Sequence, residues 1–437
     1  MKFIGEMCCF GAARPGTGAW YRLCTSSRFA VNNHRSALLA AIFLSLFAIE
    51  PVRGQNVDGT GRFAFGTVSF TPSVISVAGH DSNLIRTPDS PGGSELYQVA
   101  QMEGWWKRGR MHAGGAGAVE YQRHPDQPKN TVWNNTEDLQ VAIVSGIFRP
   151  SFTFTRHNHY APPTDFSGFE FGIKARRVET EGEARLAVSV GARTSLVATG
   201  RVNATSYDAD VRYQNVSLQE SLNRTGNWLG LSLERTITAQ TTLFALAESG
   251  PDRFKRSPLR DGRNTRIGGG VQTKPTALVG GSAVIGRRIF KSRLDSSTDF
   301  SGLFWRVAVA TARARFLALV DTQRDLFASY NPLLGRYVAS GTSAYLSVRV
   351  SPRVEAYATG MGLGLRYLSQ LGTTSRYSSA GTGLAYRLGR FAMVGLTGEW
   401  YRQRGAGPYS GTRVTTYIQY GGGRIRRLDR PLPGERP

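Results

Sequence analysis

A two-residue rhythm limits most severely what this chain can become. From Ser343 to Val350, Ser343, Tyr345, Ser347 and Arg349 alternate with Ala344, Leu346, Val348 and Val350. Successive side chains of an extended strand point to opposite faces, so this segment has one polar side and one apolar side. After Ser351-Pro352-Arg353 the pattern resumes, with Val354, Ala356 and Ala358 against Glu355, Tyr357 and Thr359. It returns in Leu384, Tyr386 and Leu388, turns at Gly389-Arg390, and runs on through Ala392, Val394, Leu396 and Trp400. Earlier segments obey it too: Phe148, Phe152 and Phe154 oppose Arg149, Ser151, Thr153 and Thr155, and Leu229, Leu231 and Leu233 oppose Gly230, Ser232 and Glu234. The stretches Thr241–Ala247 and Ala277–Ile289 show no clear alternation.

Alternating strands joined by connections that are in turn short and long are the signature of a transmembrane β-barrel. A mean hydropathy of −0.26 leaves no room for spans of about 20 apolar residues, which membrane helices need. It is compatible with a barrel, where only every second residue meets lipid. The soluble alternative is a two-sheet sandwich. Against it, the apolar face is rich in Ala, Val and Gly, and aromatic residues gather at run ends (Trp105, Trp106, Trp400, Tyr401), as in girdles at the headgroup level. Closure also satisfies the backbone groups that lipid cannot.

Short breaks fall near Lys107-Arg108, Gly146-Ile147, Ala192-Arg193, Thr238-Ala239, Lys274-Pro275, Ala312-Arg313, Pro352-Arg353 and Gly389-Arg390. Eight such turns join sixteen strands. A first strand near Arg62–Ser76 and a last near Gly411–Tyr420 bring the expected count to eighteen, with sixteen as the alternative. The predicted fold is therefore all-β: a closed antiparallel transmembrane barrel with short periplasmic turns and longer extracellular loops. The loops are expected at about 79–94, 122–134, 159–167, 206–224, 250–262, 290–298, 325–340, 367–377 and 403–410. The closing strand ends on Tyr420, which resembles the aromatic end signal read by the barrel-assembly machinery.

The N-terminal region reads as an address. Arg28, His34 and Arg35 precede an apolar run from Ala37 to Ile49, too short for a span and the right length for a signal-peptide core. Cleavage is expected near 54/55, and translation is expected to begin near Val31. The domain reading is thus 1–54 as extension plus signal peptide, 55–61 as a short periplasmic lead, 62–421 as the barrel, and 422–437 as a disordered basic periplasmic tail. Cys8, Cys9 and Cys24 all precede the cleavage point, which leaves a thiol-free chain suited to an oxidising envelope. The removed segment holds six basic and two acidic residues, so the net charge of +23 becomes +19.

A charge facing lipid at mid-depth costs roughly 2–4 kcal/mol, so strand arginines are expected to point into the lumen. By alternation these are Arg185, Arg201, Arg266, Arg306, Arg315, Arg349, Arg387 and Arg413, with Glu234, Glu355 and Glu399 as inward carboxylates. Rings of arginine favour anions, and a guanidinium pairs with a carboxylate as a fork. The expected function is a channel that passes anionic solutes or exports an acidic exopolysaccharide. The alternative is a non-transporting structural or adhesive barrel.

Several segments carry a family likeness. Gly79-His80-Asp81-Ser82-Asn83, Ser221-Leu222-Asn223-Arg224-Thr225, Asp252-Arg253-Phe254, Asp299-Phe300-Ser301-Gly302-Leu303, and Lys274-Pro275-Thr276-Ala277-Leu278 running to Arg288-Ile289-Phe290 resemble motifs of the β-barrel porin family of bacterial outer-membrane proteins. The resemblance covers about Phe63 to Tyr420. It implies a Gram-negative outer-membrane barrel, reached through the signal peptide, with some relatives beside exopolysaccharide gene clusters. It implies no catalytic residues. Expected partners are outer-membrane lipid and lipopolysaccharide, the barrel-assembly machinery and an anionic polysaccharide.

Other chemistries find less in the sequence. His157 and His159 could share a strand face as metal ligands do, but no third ligand accompanies them. A rim hydrolase could draw on His80, His112, His124, Ser82 and Asp81, yet no motif joins them. The expectation is no enzyme, no cofactor and no metal. Nucleic-acid binders concentrate Lys and Arg in one patch. Here the only dense cluster is Arg424, Arg426, Arg427 and Arg430 in the tail, so no nucleic-acid partner is expected.

Overall fold

A backbone with this alternation can satisfy its hydrogen bonds inside lipid only by pairing all the way round, and the computed structural model of the chain is such a ring. It describes residues 55–56, 63–84, 91–126, 131–160, 175–273, 279–294, 298–313, 315–329, 331, 335–368, 373–389, 391–405 and 408–421. The proposed signal peptide, the tail from 422 and the Lys274-Pro275 turn lie outside the described residues.

Eighteen antiparallel strands make the wall. The first six are β1 (Val68–Asp81), β2 (Gly93–Arg108), β3 (Met111–Arg123), β4 (Val132–Ile143), β5 (Phe148–Tyr160) and β6 (Arg176–Ser189). Then come β7 (Thr194–Tyr207), β8 (Arg224–Thr236), β9 (Thr241–Phe254), β10 (Gly262–Thr273), β11 (Val279–Ser292) and β12 (Phe300–Arg313). The last are β13 (Phe316–Ala328), β14 (Arg336–Arg349), β15 (Val354–Tyr367), β16 (Thr374–Arg387), β17 (Ala392–Arg404) and β18 (Tyr409–Gly421). Each strand pairs with its successor, and β18 pairs back onto β1 from Arg413 with Asp81 to Gly421 with Ser73. That seam closes the sheet. It carries side-chain bonds as well: Ser82 Oγ accepts from the Thr412 amide at 2.8 Å, and Asn83 Nδ2 donates to the Ser410 carbonyl at 3.3 Å.

The two faces are the inverse of a soluble globule. Leu229, Leu231, Leu233, Ile285, Leu396, Val414 and Ile418 are exposed on the outside. Ser343, Ser347, Thr359, Ser379, Thr397, Thr415 and Gln419 are buried on the inside. Strand patterns such as β16, where exposed and buried residues alternate from Thr374 to Thr382, show the rhythm directly. Apolar outside and polar inside is what a lipid-facing barrel requires.

The observed ends shift some expectations. The first wall strand is Val68–Asp81 rather than Arg62–Ser76. Gly66, at φ +57°, turns Phe63–Phe65 back onto Val68–Phe70, where Phe63 and Phe65 both stack on Phe70. The connection expected at 206–224 has structure of its own. A ribbon of Arg212–Tyr213 against Val216–Ser217 leads into α1 (Leu218–Leu222), whose Leu218 and Leu222 pack with Tyr207 and Ala175. The connection expected at 325–340 is mostly strand, the ends of β13 and β14, and it matters for the lumen.

Candidate functional site

The inner wall from β6 to β13 carries arginines, and nearly every one has a carboxylate beside it. Arg185 reaches across β7 to Glu234, Nη2 to Oε1 at 2.6 Å. Arg306 forks onto Asp321 at 3.3 and 2.5 Å, a planar two-bond match. At mid-height a denser group forms. Arg201 Nη2 and Arg266 Nη1 lie 3.6 and 3.8 Å from Glu248 Oε2. Arg266 Nη2 also bonds Asp325, and Arg288 Nη1 lies 3.8 Å from the same carboxylate. Arg288 Nη2 donates to Asn264 Oδ1 at 2.8 Å. The guanidinium carbons of Arg201, Arg266 and Arg288 stand 5.3, 5.7 and 5.1 Å from the ring centre of Trp228, within cation–π range. Glu183 sits directly across from Arg201. Three guanidinium groups thus stand around one indole, with the carboxylates of Glu248 and Asp325 among them.

The remaining expected arginines are placed differently. Arg413, on β18, pairs with Glu95 of β2 over the intervening β1. Arg349 is inward and stands across from Glu355. Arg387 is half-buried on the inner face of β16. Arg315 is not on a strand: it is exposed in the turn ahead of Phe316, because β12 ends at Arg313. Nor do all strand arginines point inward. Arg253, Arg263, Arg376, Arg402 and Arg404 lie near the long-loop rim on outer-face positions and are exposed. The penalty that turns arginines inward fades toward the membrane surface. Arg288 and Trp228, neither of them among the expected lumen residues, complete the mid-height group. The Arg287-Arg288 doublet was the available signal, since one member of such a pair must face inward.

The ends of β13 and β14 fold in over this wall. Asp325 pairs with Ala339, Leu326 with Val338, Phe327 with Tyr337, and Ala328 with Arg336. Lower down, one face of this hairpin is buried and the other exposed, but here both are covered: Leu326, Ala328, Arg336, Tyr337, Val338 and Ala339 are all buried. One face, through Tyr337 and Ala339, packs with Leu363 and Leu365 of the adjoining β15 and with Tyr377, Tyr401 and Tyr409 of β16 to β18. The other, through Leu326 and Val338, packs on Phe290 of β11. On that side Arg336 donates to Asp252 at 2.8 Å and lies over the Phe290 ring at 3.7 Å. Arg260, in the β9–β10 loop, donates to the carbonyls of Ser329 and Gly335 at 2.6 and 3.2 Å. The hairpin end is clamped between two inner walls at the long-loop mouth.

From β14 to β18 the inner wall sets tyrosines and hydroxyl groups between a few charges, among them Glu399 directly across from Arg413. Tyr345 and Tyr357 stack at 6.0 Å, and Tyr357 Oη shares a hydrogen bond with Thr397 Oγ1 at 2.5 Å. Tyr357 stands opposite Gly383 and Tyr417 opposite Gly395. Each ring lies over its glycine so closely that a Cβ there would collide with it. Rings laid flat on glycines occupy little of the lumen.

The rim residues considered for catalysis do not converge. His80 is exposed on the outer face while its neighbour Asp81 is buried on the inner one, where Asp81 bonds Tyr401 Oη and the Asn83 amide. His157 and His159 do share a face of β5, and His157 Nδ1 bonds Thr136 Oγ1 at 2.8 Å. Among the described residues no three His, Cys, Asp or Glu side chains are grouped to hold a metal.

No family model matches the chain, and no curated protein does. Solved structures similar to it include the outer membrane protein opdK from Pseudomonas aeruginosa, 9% identical at a TM-score of 0.44 over 80% of this chain and 98% of that one. A BenF-like porin from Pseudomonas fluorescens Pf-5 is 8% identical at 0.45, over 80% and 98%. OccAB4 from Acinetobacter baumannii is 8% identical at 0.44, also over 80% and 98%.

Proposed function

We propose that the protein is a porin of the bacterial outer membrane, a passive channel for hydrophilic solutes. One observation carries the reading: an eighteen-strand wall, closed at the β18–β1 seam, with charged and hydroxyl groups inside. Barrels of this strand number enclose more width than inward side chains alone fill. The finer reading is a bias toward anions, with export of an acidic exopolysaccharide as its specific form. Arg349 and Arg387, near the short-turn mouth, support it, as does the arginine group around Trp228. The ion pairs of Arg185, Arg201, Arg266, Arg306 and Arg413 restrict the bias to a modest one, because a paired guanidinium offers less field to a passing solute.

Planar-bilayer recording tests both levels. Discrete conductance steps are expected, with a reversal potential in a salt gradient displaced to the anion side. A cation-side reversal removes the anion bias and the exopolysaccharide reading, and leaves a channel. The clamped β13–β14 hairpin favours a second reading, a structural barrel that conducts nothing. Absence of steps from protein that has inserted and folded selects it.

A further inference from the structure

The outer face holds basic residues that neither the lumen nor the ion pairs account for. On β16 and β17, Arg376, Arg402 and Arg404 are exposed, and the residues between them on those strands alternate cleanly between buried and exposed. They therefore stand on the outer wall. Arg376 and Arg404 are directly opposite one another across the strand pair, and Arg402 is diagonal to Arg376, since it faces Ser378. Like charges directly opposite destabilise a strand pair. Among the described residues no carboxylate lies within ion-pair distance of any of the three. Trp400, exposed on the same face one outward step lower, marks the level at which aromatic girdles meet headgroups. Arg402 is about 7 Å further along the strand, by the rise of two residues. The neighbouring outward positions are Ser378, Ser410 and Thr412, hydroxyl groups that can also donate to oxygen.

We infer that Arg376, Arg402 and Arg404 form a docking site for the phosphate groups of a phosphorylated outer-leaflet glycolipid, the lipid A part of lipopolysaccharide. Three guanidinium groups beside donors in a shallow wall suit a phosphate, whose oxygens accept forked bonds. The anion relieves the Arg376–Arg404 opposition, and its acyl chains continue down the apolar band below Trp400. The site rests on the outer-membrane reading and adds to it one face and one lipid chemistry.

The test uses full-length barrel refolded into phosphatidylcholine vesicles, then titrated with lipid A carrying its phosphates or with the same lipid dephosphorylated. Bound lipid is read by native mass spectrometry. The unaltered protein should retain the phosphorylated form preferentially. Arg376→Gln with Arg404→Gln should weaken retention about fivefold per arginine, as for basic residues near an anionic headgroup surface. Arg313→Gln, an exposed position at the opposite end of the wall, should change nothing. Equal retention of both lipid forms, or equal loss in the Arg313 variant, overturns the site. Arg402→Gln alone serves if the double variant does not fold, with the same fivefold expectation. Failure of the unaltered protein to enter vesicles at all would instead sink the outer-membrane reading.

Discussion

The inner wall from β6 to β13 and the inner wall from β14 to β18 are built from the same alternation yet weight their chemistry differently. The first presents charge against charge around Trp228, with Arg266, Arg288 and Asp325 buried together. The second presents mainly hydroxyls and tyrosine rings laid on glycines, with charge confined to separate pairs such as Arg413 with Glu95. A buried ion pair stabilises little on balance, but loss of one partner strands the other in a poor solvent for charge. A hydroxyl wall carries no such hazard. The Trp228 group is thus vulnerable to single substitutions of charge, and the tyrosine-on-glycine contacts to changes of shape.

The contrast breaks most sharply at Asp325. Asp325→Ala leaves Arg266 and Arg288 short of their shared carboxylate and should cost roughly 3–5 kcal/mol in urea unfolding from vesicles. An unchanged midpoint would mean that water or another acid serves these guanidinium groups. Among the tyrosines of the other wall the matching lesion is steric. Gly395→Val pushes the Tyr417 ring off the wall, at about 1–3 kcal/mol, and should lower single-channel conductance. Unaltered conductance with unaltered stability would show that the ring has free space elsewhere. Thr397→Val, which removes only the bond to Tyr357 Oη, should cost about 1 kcal/mol and leave conductance alone.

The smallest effect lies above the charged half, in the β11–β12 loop. Asp299 accepts from the Ser292 amide at 2.8 Å and from Lys291 Nζ at 3.0 Å. The backbone bond first, and Lys291 second, hold its carboxyl below the ordinary carboxylate range. A depressed folded value means that the loop's stabilisation is complete above the unfolded value and fades as pH falls through the folded one. Protection of the Ser292 amide from hydrogen exchange should decline below about pH 4. It should lose that dependence in Asp299→Asn.

Much of the wall was legible in the sequence because lipid and lumen each impose their own polarity on alternate residues. Leu229, Leu231 and Leu233 announce an outer face without any knowledge of their neighbours. Where the inner face is also apolar, the rhythm vanishes. Phe244 and Leu246 of β9 pack inward with Val284 and Phe304, which is why Thr241–Ala247 shows no alternation. The same cause hides the ends of β13 and β14, read as a loop because both faces of Leu326–Ala328 and Arg336–Ala339 are covered. The Trp228 group was beyond reach for a different reason. Its members come from β6 to β11 and from β13, and only strand register sets Glu248, Arg266 and Arg288 in one row. An arginine in the string does not reveal whether it has a carboxylate for company.

The seam between β18 and β1 joins residues 330 positions apart, as the Ser82–Thr412 bond records. Until the last strand arrives, the growing sheet is a crescent with two raw margins, each a row of unsatisfied amides and carbonyls that hydrocarbon will not tolerate. All eighteen strands must therefore be in place before the first moment at which any bore exists. A chain cut short before Tyr409 lacks the strand that meets β1, and its sheet stays an unfinished arc.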